Sequence, residues 1–332
     1  MATSLVTGGA GFIGSHVSKH LLEIGHRVVV LDDLSEGFAD NLPKGVEFIK
    51  GSINDPKKIQ SIFTRYNLDY VFHLAAYAAE GLSSFIKYFN YQSNLIGSVN
   101  LINASVNYDI KCFVFTSSIA VYGSVQTPMS ESTIPEPEDS YGISKLAVEM
   151  ELKSTHKMFG LDYIIFRPHN VYGEHQNIAD PYRNVIGIFM NQVMQNKPMT
   201  IFGDGTQTRA FTYISDVAPL IAKSVNVSEA RNQVFNIGSD NFYTLNELAE
   251  MVSKIMRVRK ETVYLPPRNE VQNAFCSHEK IRSIFGDRRT VKLEEGLKSM
   301  ANWAKKIGPR CSAEYKSIEI SKNLPPNWAK QN

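Results

Sequence analysis

A tyrosine and a lysine four residues apart, Tyr141 and Lys145, lie at the start of a predicted helix that ends near Lys157. Positions i and i+4 share one helix face, so the phenol and the ammonium point the same way, one turn apart. A free tyrosine titrates near pH 10, and a neighbouring cation favours its ionised form. The spacing is typical of a tyrosine general base, although a chain with 15 tyrosines could also contain it as a simple surface pairing.

Other polar groups follow predicted strands. The hydroxyl pair Ser117 and Ser118 follows the strand predicted at 112–116, and Asn170 follows the strand predicted at 161–167. In an open parallel sheet, ligands bind beyond the carboxyl ends of the strands. The sequence therefore predicts a catalytic site at this edge.

The segment 7–14, Thr-Gly-Gly-Ala-Gly-Phe-Ile-Gly, separates a short predicted strand from a helix predicted at 15–24. The first turn of a helix has unpaired N–H groups and partial positive charge, so it attracts a diphosphate. Gly8 suits the tight turn, Gly11 lets the diphosphate approach the backbone, and Gly14 lets helix and strand pack closely. The alternative is a glycine-rich turn that only packs.

An acidic residue supports the dinucleotide interpretation. Asp32 ends the strand predicted at 27–31 and stands 18 residues beyond Gly14, close to the spacing of a ribose-binding acid. A carboxylate there accepts hydrogen bonds from the ribose hydroxyls and repels a 2′-phosphate. We therefore expect NAD, not NADP.

The alternation of strand and helix patterns predicts the fold class. Strands are predicted at 3–6, 27–31, 46–50, 69–76, 112–116 and 161–167, and helices at 15–24, 56–66, 89–106, 141–157, 184–195, 245–256 and 293–305. Such alternation indicates right-handed crossovers and a Rossmann-type, doubly wound parallel sheet with helices on both faces.

Beyond residue 167 the order of elements loosens. We expect a short strand at 199–202, and we expect the segments 214–225 and 234–236 to return to the sheet. The sequence therefore predicts an NAD-binding domain of residues 1–167 plus about 210–238, and a smaller α/β domain of residues 168–209 plus 239–332 that binds the substrate. The stretch 309–332 carries no recognisable motif.

Composition excludes several functions. With 332 residues and a net charge of +2, the chain has no basic stripe of the kind that nucleic acid requires. Neither a leader pattern nor an apolar run of about 18 residues is present, and three cysteines form no CxxC pair, so we expect a cytoplasmic protein without membrane partners. His16 and His20 have helical spacing but lack a third ligand, so no metal is expected.

These motifs together resemble the extended short-chain dehydrogenase/reductase family, and within it the nucleotide-sugar 4-epimerases, most nearly those that act on UDP-glucose. The shared motifs are the segments 7–14, 31–34 (Leu-Asp-Asp-Leu), 73–76 (His-Leu-Ala-Ala), 116–123 (Thr-Ser-Ser-Ile-Ala-Val-Tyr-Gly), 141–145 (Tyr-Gly-Ile-Ser-Lys), 167–170 (Arg-Pro-His-Asn), 203–209 (Gly-Asp-Gly-Thr-Gln-Thr-Arg) and 235–238 (Phe-Asn-Ile-Gly), together with Asn94.

The resemblance implies roles for these residues. Tyr141 would take the proton of the sugar 4-hydroxyl, Lys145 would lower the pKa of the phenol, and Ser118 would hydrogen-bond the same oxygen. The implied NAD-binding residues are Gly8, Gly11, Phe12, Ile13, Gly14, Asp32, Asp33, Ser35, Ser52, Ile53, Leu74, Ala75, Ala76, Asn94, Tyr141, Lys145 and Pro168. The implied residues for a UDP-sugar substrate are Ser118, Asn170, Asn184, Val185, Phe202, Arg209 and Arg268. The helices at 89–106 and 141–157 would pair in a homodimer.

The same resemblance reduces the number of reactions that the site could catalyse. Ile119 and Ala120 stand where related dehydratases and decarboxylases have acids, and where GDP-mannose 3,5-epimerases have a cysteine, so 4-epimerisation is favoured. UDP-GlcNAc and UDP-glucuronate remain alternative substrates, a GDP-mannose 3,5-epimerase-like enzyme remains an alternative reaction, and an NAD-sensing binding protein remains a non-enzymatic alternative. Ser52 replaces a common aspartate, Glu80 has no assigned role, and Ala274 at a predicted gate position favours acceptance of N-acetyl sugars.

Overall fold

The computed structural model describes residues 1–125, 127–267, 272–310, 317–325 and 328. Its strands are β1 (Thr3–Thr7), β2 (Arg27–Asp32), β3 (Glu47–Lys50), β4 (Tyr70–His73), β5 (Cys112–Thr116), β6 (Tyr163–Pro168), β7 (Val171–Tyr172), β8 (Met199–Phe202), β9 (Thr208–Ala210), β10 (Thr212–Tyr213), β11 (Gln233–Ile237), β12 (Phe242–Thr244), β13 (Thr262–Leu265) and β14 (Asn273–Ala274). Its α-helices are α1 (Phe12–Glu23), α2 (Pro56–Arg65), α3 (Glu80–Ser83), α4 (Lys87–Tyr91), α5 (Gly97–Asn107), α6 (Ser140–Phe159), α7 (Val185–Met194), α8 (Ala218–Lys223), α9 (Leu245–Met256), α10 (Glu279–Phe285) and α11 (Leu293–Ile307).

Seven parallel strands form the central sheet, in the order β11-β6-β5-β4-β1-β2-β3. The chain starts at β1 near the middle, builds outward to β3, and then returns to build the other half from β4. This order confirms the doubly wound Rossmann-type fold that the sequence predicts. It places the carboxyl ends of β1 and β4, where the winding reverses, beside each other.

The sheet is buried on both faces because its central strands are apolar at successive positions. Val28 and Val30 of β2 pack in one cluster with Val17 of α1 and Ile221 of α8. Val29 of β2 packs in the opposite cluster, which also contains side chains of α2, α5 and α6. A third cluster joins α7, α9 and α11, and it forms the core of the C-terminal part of the protein.

Three predicted elements differ from the structure. The fourth strand ends at His73, and residues 74–79 are irregular. The helix predicted at 89–106 consists of α4, a π-helical turn at Gln92–Ile96, and α5. The segment 214–225 does not join the sheet. Apolar residues three apart, Ala218 and Ile221, are fully buried and give α8 an apolar face that packs against α1. Only β11 returns to the sheet, beside β6.

Within the part of the chain that the structure describes, no helix combines the length and apolar character needed to cross a bilayer.

Candidate active site

A cavity of about 1500 Å³ opens at the carboxyl ends of the sheet strands. Its wall includes every residue predicted to bind NAD except Asn94, and every described residue predicted to bind the substrate. Arg268 lies outside the described residues. The structure thus brings the two predicted sets of residues together around one space, which is large enough for a dinucleotide and a second ligand beside it.

The glycine segment forms a close-fitting turn below α1. Gly8 has a φ of +72°, and a side chain there would collide with the backbone of Ala75. A side chain on Gly14 would collide with the carbonyl of Gly8, whereas one on Gly11 would stand 3.1 Å from that oxygen. No side chain caps the N-terminus of α1 at Gly11, and residues 11–14 of its first turn line the cavity. This cradle fits the diphosphate of a dinucleotide.

Asp32 lies at the end of β2, where the cavity wall turns. Its Oδ2 accepts a hydrogen bond from Ala10 N at 3.0 Å, and its Oδ1 accepts one from Leu34 N at 2.8 Å. Burial raises the pKa of the carboxyl, and these backbone bonds oppose the rise. The side chain is therefore held rigidly in the position expected of a ribose-binding acid.

Tyr141, Lys145 and Ser118 meet in the cavity wall, and each is at most 9% exposed. Lys145 Nζ lies 5.7 Å from the centre of the Tyr141 ring and donates a hydrogen bond to Thr116 O at 2.8 Å. Ser118 Oγ accepts a hydrogen bond from Ala120 N at 3.1 Å, which leaves its own proton for the Tyr141 oxygen. The one-turn spacing on α6 is thus as predicted.

The electrostatics of this group differ from the expectation. Burial raises the pKa of Tyr141 above its ordinary value, the Ser118 hydrogen bond opposes the rise, and Glu80 and Asp139 add to it. Burial also lowers the pKa of Lys145 to about 7, against the charge of Glu149. The lysine therefore does not by itself make the phenol acidic in this structure. The positive charge of an oxidised nicotinamide ring is the further contribution that the predicted chemistry requires.

Asn94 is predicted to bind NAD, but its side chain lies behind the residues that line the cavity. It is 1% exposed, and it accepts a hydrogen bond from Tyr77 N at 2.8 Å and donates one to Tyr77 O at 3.0 Å. The π-helical turn directs this side chain inward. Asn94 thus holds the cavity-lining segment that starts after β4, and its direct contact with a cofactor stays a prediction.

The predicted substrate residues other than Ser118 come from segments beyond β6, and those that the structure describes line the same cavity. Asn170 donates a hydrogen bond to Ala210 O at 3.1 Å, and Asn184 immediately precedes α7 with a φ of +62°. Val185 and Phe202 line the same wall. Arg209 donates hydrogen bonds to Thr208 O and Gln272 O. The structure thus places all of these side chains in the wall of the same cavity, and their ligand contacts stay predictions.

Two ion pairs near the site were not predicted from the sequence. Glu149 and Arg167 form a buried ion pair behind the catalytic group, and the only sequence indication was the i+4 spacing of Glu149 from Lys145. Arg183 and Glu36 form an ion pair in the cavity wall, for which no local pattern exists. Among the described residues no cluster of three metal-ligating side chains occurs.

Comparisons with known proteins agree with this geometry. The model of the NAD dependent epimerase/dehydratase family matches residues 4–238. The UDP-glucose 4-epimerase of Halalkalibacterium halodurans is 32% identical over 331 residues, covering 94% of this chain and 98% of that protein. The crystal structure of UDP-glucose 4-epimerase from Thermotoga maritima with UDP-glucose is 37% identical, with a TM-score of 0.85, covering 92% of this chain and 99% of that one.

A further structure is informative about the cofactor. UDP-glucuronic acid 4-epimerase from Bacillus cereus, in complex with UDP-glucuronic acid and NAD, is 28% identical, with a TM-score of 0.85, covering 92% of this chain and 99% of that one. The glycine cradle and the acid at the end of β2 fit this cofactor. NAD is therefore the cofactor of the site.

Proposed function

This chain belongs to the NAD dependent epimerase/dehydratase family, and from this premise we propose that it is a 4-epimerase of UDP-sugars that interconverts UDP-glucose and UDP-galactose. The observation that carries the proposal is the meeting of Ser118, Tyr141 and Lys145 in the wall of one cavity. Ile119 and Ala120, which also line it, have no group that could transfer a proton for elimination of water. These two positions therefore provide no proton donor for elimination, whereas Ser118, Tyr141 and Lys145 provide the means to oxidise and reduce an alcohol.

Bound NAD supplies a reversible hydride acceptor. Tyr141 takes the proton from the sugar 4-hydroxyl as the alcohol is oxidised and returns it when the ketone is reduced. Ser118 would donate a hydrogen bond to the same oxygen, and Lys145 would hold the nicotinamide ribose. Reduction on the opposite face of the 4-ketose gives the epimer. The chain contributes position and electrostatics, and the cofactor ends unchanged.

Sugar-nucleotide binding would come from the residues around α7 and β9. We propose that residues 168–209 and 239–332 form the substrate domain and that residues 1–167 with about 210–238 bind NAD. Asn170, Asn184 and Val185 would contact the phosphates and base, Phe202 would lie against the uracil, and Arg209 would pair with the diphosphate. Their presence in the wall of the same cavity as Tyr141 and Lys145 supports this assignment.

The test is product analysis by NMR after separate incubation with UDP-glucose, UDP-GlcNAc, UDP-glucuronate and GDP-mannose, without added NAD. We expect the 4-epimer of UDP-glucose. Tyr141→Phe should lower the rate by about 10²- to 10⁴-fold while NAD stays bound. Conversion of GDP-mannose alone would favour the 3,5-epimerase-like alternative. Bound NAD with no conversion of any sugar would favour an NAD-sensing protein.

A second copy of the chain is the proposed macromolecular partner. Apolar side chains are exposed on α4, on the π-helical turn and on α6, where Tyr88 is 72%, Ile96 44%, Ile143 43% and Met150 62% exposed. Pairing of these helices with their counterparts in another copy would cover the apolar surface. Light scattering of the parent and of Met150→Asp tests this homodimer: the parent should have twice the chain mass, and the variant should dissociate.

A further inference from the structure

Glu149 is a fully buried carboxylate directly behind the active site. It is 0% exposed, and Arg167, with 2% exposure, pairs with it through Nε at 2.9 Å and Nη2 at 2.5 Å. Removing two charges from water costs free energy that their attraction roughly repays, so such a pair is weak evidence for a purely stabilising role. Its surroundings indicate another role.

The carboxylate also holds the strand end that carries Ser118. Ser117 Oγ donates a hydrogen bond to Glu149 Oε1 at 2.5 Å, and Ser117 N donates one to Phe166 O at 2.7 Å. On one side of Ser117, Thr116 O accepts the hydrogen bond of Lys145 Nζ. On the other side stands Ser118. A shift of Ser117 would therefore displace both Thr116 O, which accepts the hydrogen bond of Lys145, and the hydroxyl of Ser118.

Arg167 extends the same network to the next strand. Its guanidinium stacks on the ring of Tyr122, with 4.7 Å from Cζ to the ring centre, and the Tyr122 hydroxyl donates a hydrogen bond to Asn236 at 2.8 Å. Arg167 belongs to β6, which continues to Pro168 and is followed by Asn170. One buried ion pair thus connects α6 with the ends of β5 and β6.

We propose that Glu149 is a positioning residue of this site: its carboxylate fixes the segment that ends in Ser118 and keeps a negative charge one helical turn from the Lys145 ammonium. This inference rests on the proposed function for its catalytic consequence. Glu149 touches neither the cavity nor its ligands. It acts through Ser117 and Lys145.

The negative charge of Glu149 affects the protonation of Lys145 because the lysine is buried. The titratable and charged groups around Lys145 and its neighbour Glu149 are Tyr141 on α6, His73 at the end of β4 and Arg167 of β6, which is paired with Glu149. Burial lowers the pKa of His73 to about 3 and keeps its ring neutral. The carboxylate of Glu149 is therefore the anion that opposes the desolvation of Lys145. Without it, the ammonium would lose its proton at a lower pH.

Ser117→Ala tests the positioning without disturbing the ion pair. Because the segment that ends in the catalytic hydroxyl loses its anchor, we expect turnover to fall about tenfold or more in a folded protein that still binds NAD. The loss of a hydrogen bond to a buried carboxylate should also lower the thermal midpoint of unfolding. Ser124→Ala, which removes an exposed hydroxyl bonded to Glu138, is the matched control. Turnover of Ser117→Ala within twofold of the parent would overturn the positioning role.

Glu149→Gln and Glu149→Asp test the charge. The ε-carbon signal of Lys145 in protein labelled with [ε-¹³C]lysine reports its pKa whether or not any sugar is converted, so failure of the proposed function is seen separately. We expect Glu149→Gln to lower that pKa by about one unit, and to move the alkaline limb of the rate profile to lower pH by the same amount. Glu149→Asp should restore both.

An unchanged lysine titration in folded Glu149→Gln would contradict the electrostatic role. If the unpaired Arg167 prevents that variant from folding, the Glu149→Asp titration and the Ser117→Ala turnover decide the question.

Discussion

Arg183 Nη2 lies 2.7 Å from Glu36 Oε2 and joins two sides of the cavity. Glu36 belongs to the loop after β2, which also carries the predicted NAD residues Asp33 and Ser35, whereas Arg183 precedes α7 on the substrate side. Arg183 Nε lies 2.6 Å from Asp180 Oδ2. The guanidinium therefore serves as a bridge between the two binding regions.

Breaking this bridge should weaken retention of NAD. In Glu36→Gln the loop after β2 loses its charged contact, while Arg183 keeps Asp180 as a partner. We expect NAD to dissociate roughly three- to tenfold faster, a change of about 1 kcal/mol for a partly exposed pair, measured by release of cofactor from the loaded protein after dilution. Glu47→Gln, which breaks the exposed pair of Glu47 with Arg27, should leave the rate unchanged. Equal rates for Glu36→Gln and the parent would refute the bridging role.

The glycine cradle predicts that two alanine substitutions three residues apart behave differently. In Gly11→Ala the methyl would stand 3.1 Å from Gly8 O, a tight contact that a shift of a few tenths of an ångström relieves, but that methyl enters the path of the diphosphate. We expect a normally folded protein that binds NAD at least about tenfold more weakly. Gly14→Ala should instead lower the thermal midpoint, because its methyl collides with the Gly8 carbonyl. Circular dichroism and NAD content measure the two effects; a Gly11→Ala protein with full NAD content would contradict the assignment.

Ala274 should determine whether an N-acetylated sugar is accepted. It lies in β14 beside Arg209 of β9, is 9% exposed and lines the cavity. We expect the parent to convert both UDP-glucose and UDP-GlcNAc. Ala274→Tyr should reduce conversion of UDP-GlcNAc by about tenfold or more, because the ring fills space that the acetamido group needs, with a much smaller effect on UDP-glucose. A parent that converts UDP-glucose but not UDP-GlcNAc would disprove this prediction.

Acid should destabilise the protein through its buried histidines. Burial lowers the pKa of His73 and of His169 to about 3, and that of His16 to about 4. Each is below the ordinary value of 6.5, so the folded state favours the neutral ring. This contribution is complete above pH 6.5 and is lost as the pH falls through the folded-state values, about 4 for His16 and about 3 for His73 and His169. The free energy of unfolding should therefore decrease below pH 6.5, by up to about 1.4 kcal/mol per pH unit for each histidine.

Urea unfolding at pH 6.5, 5.5 and 4.5 measures this dependence. His73→Gln cannot titrate, so we expect lower stability at neutral pH and a slope reduced by about one proton. His20→Gln, at a partly exposed helix position, provides the control. Parallel slopes for His73→Gln and the parent would show that this histidine does not contribute.

The sequence predicts those parts of the fold and site that depend on local patterns. The strands at 27–32 and 112–116 and the turn at Gly8 to Gly14 are specified by neighbours in the chain, and the Tyr141–Lys145 spacing follows from helix geometry alone. The missed features depend on tertiary contact. Arg167 pairs with Glu149 only after β6 has packed beside α6, and the pKa of Tyr141 depends on burial that no spacing reveals.

The position of β11 has a consequence for synthesis of the protein. This edge strand pairs along β6 from Gln233 to Ile237, yet about 65 residues separate the two in the chain. While a ribosome is still translating the intervening part, β6 presents an uncovered hydrogen-bonding edge, the kind of surface on which nascent chains associate wrongly. The central sheet is complete only when β11 has been synthesised and pairs with β6. The risk of misassociation is therefore highest before residue 233 leaves the exit tunnel.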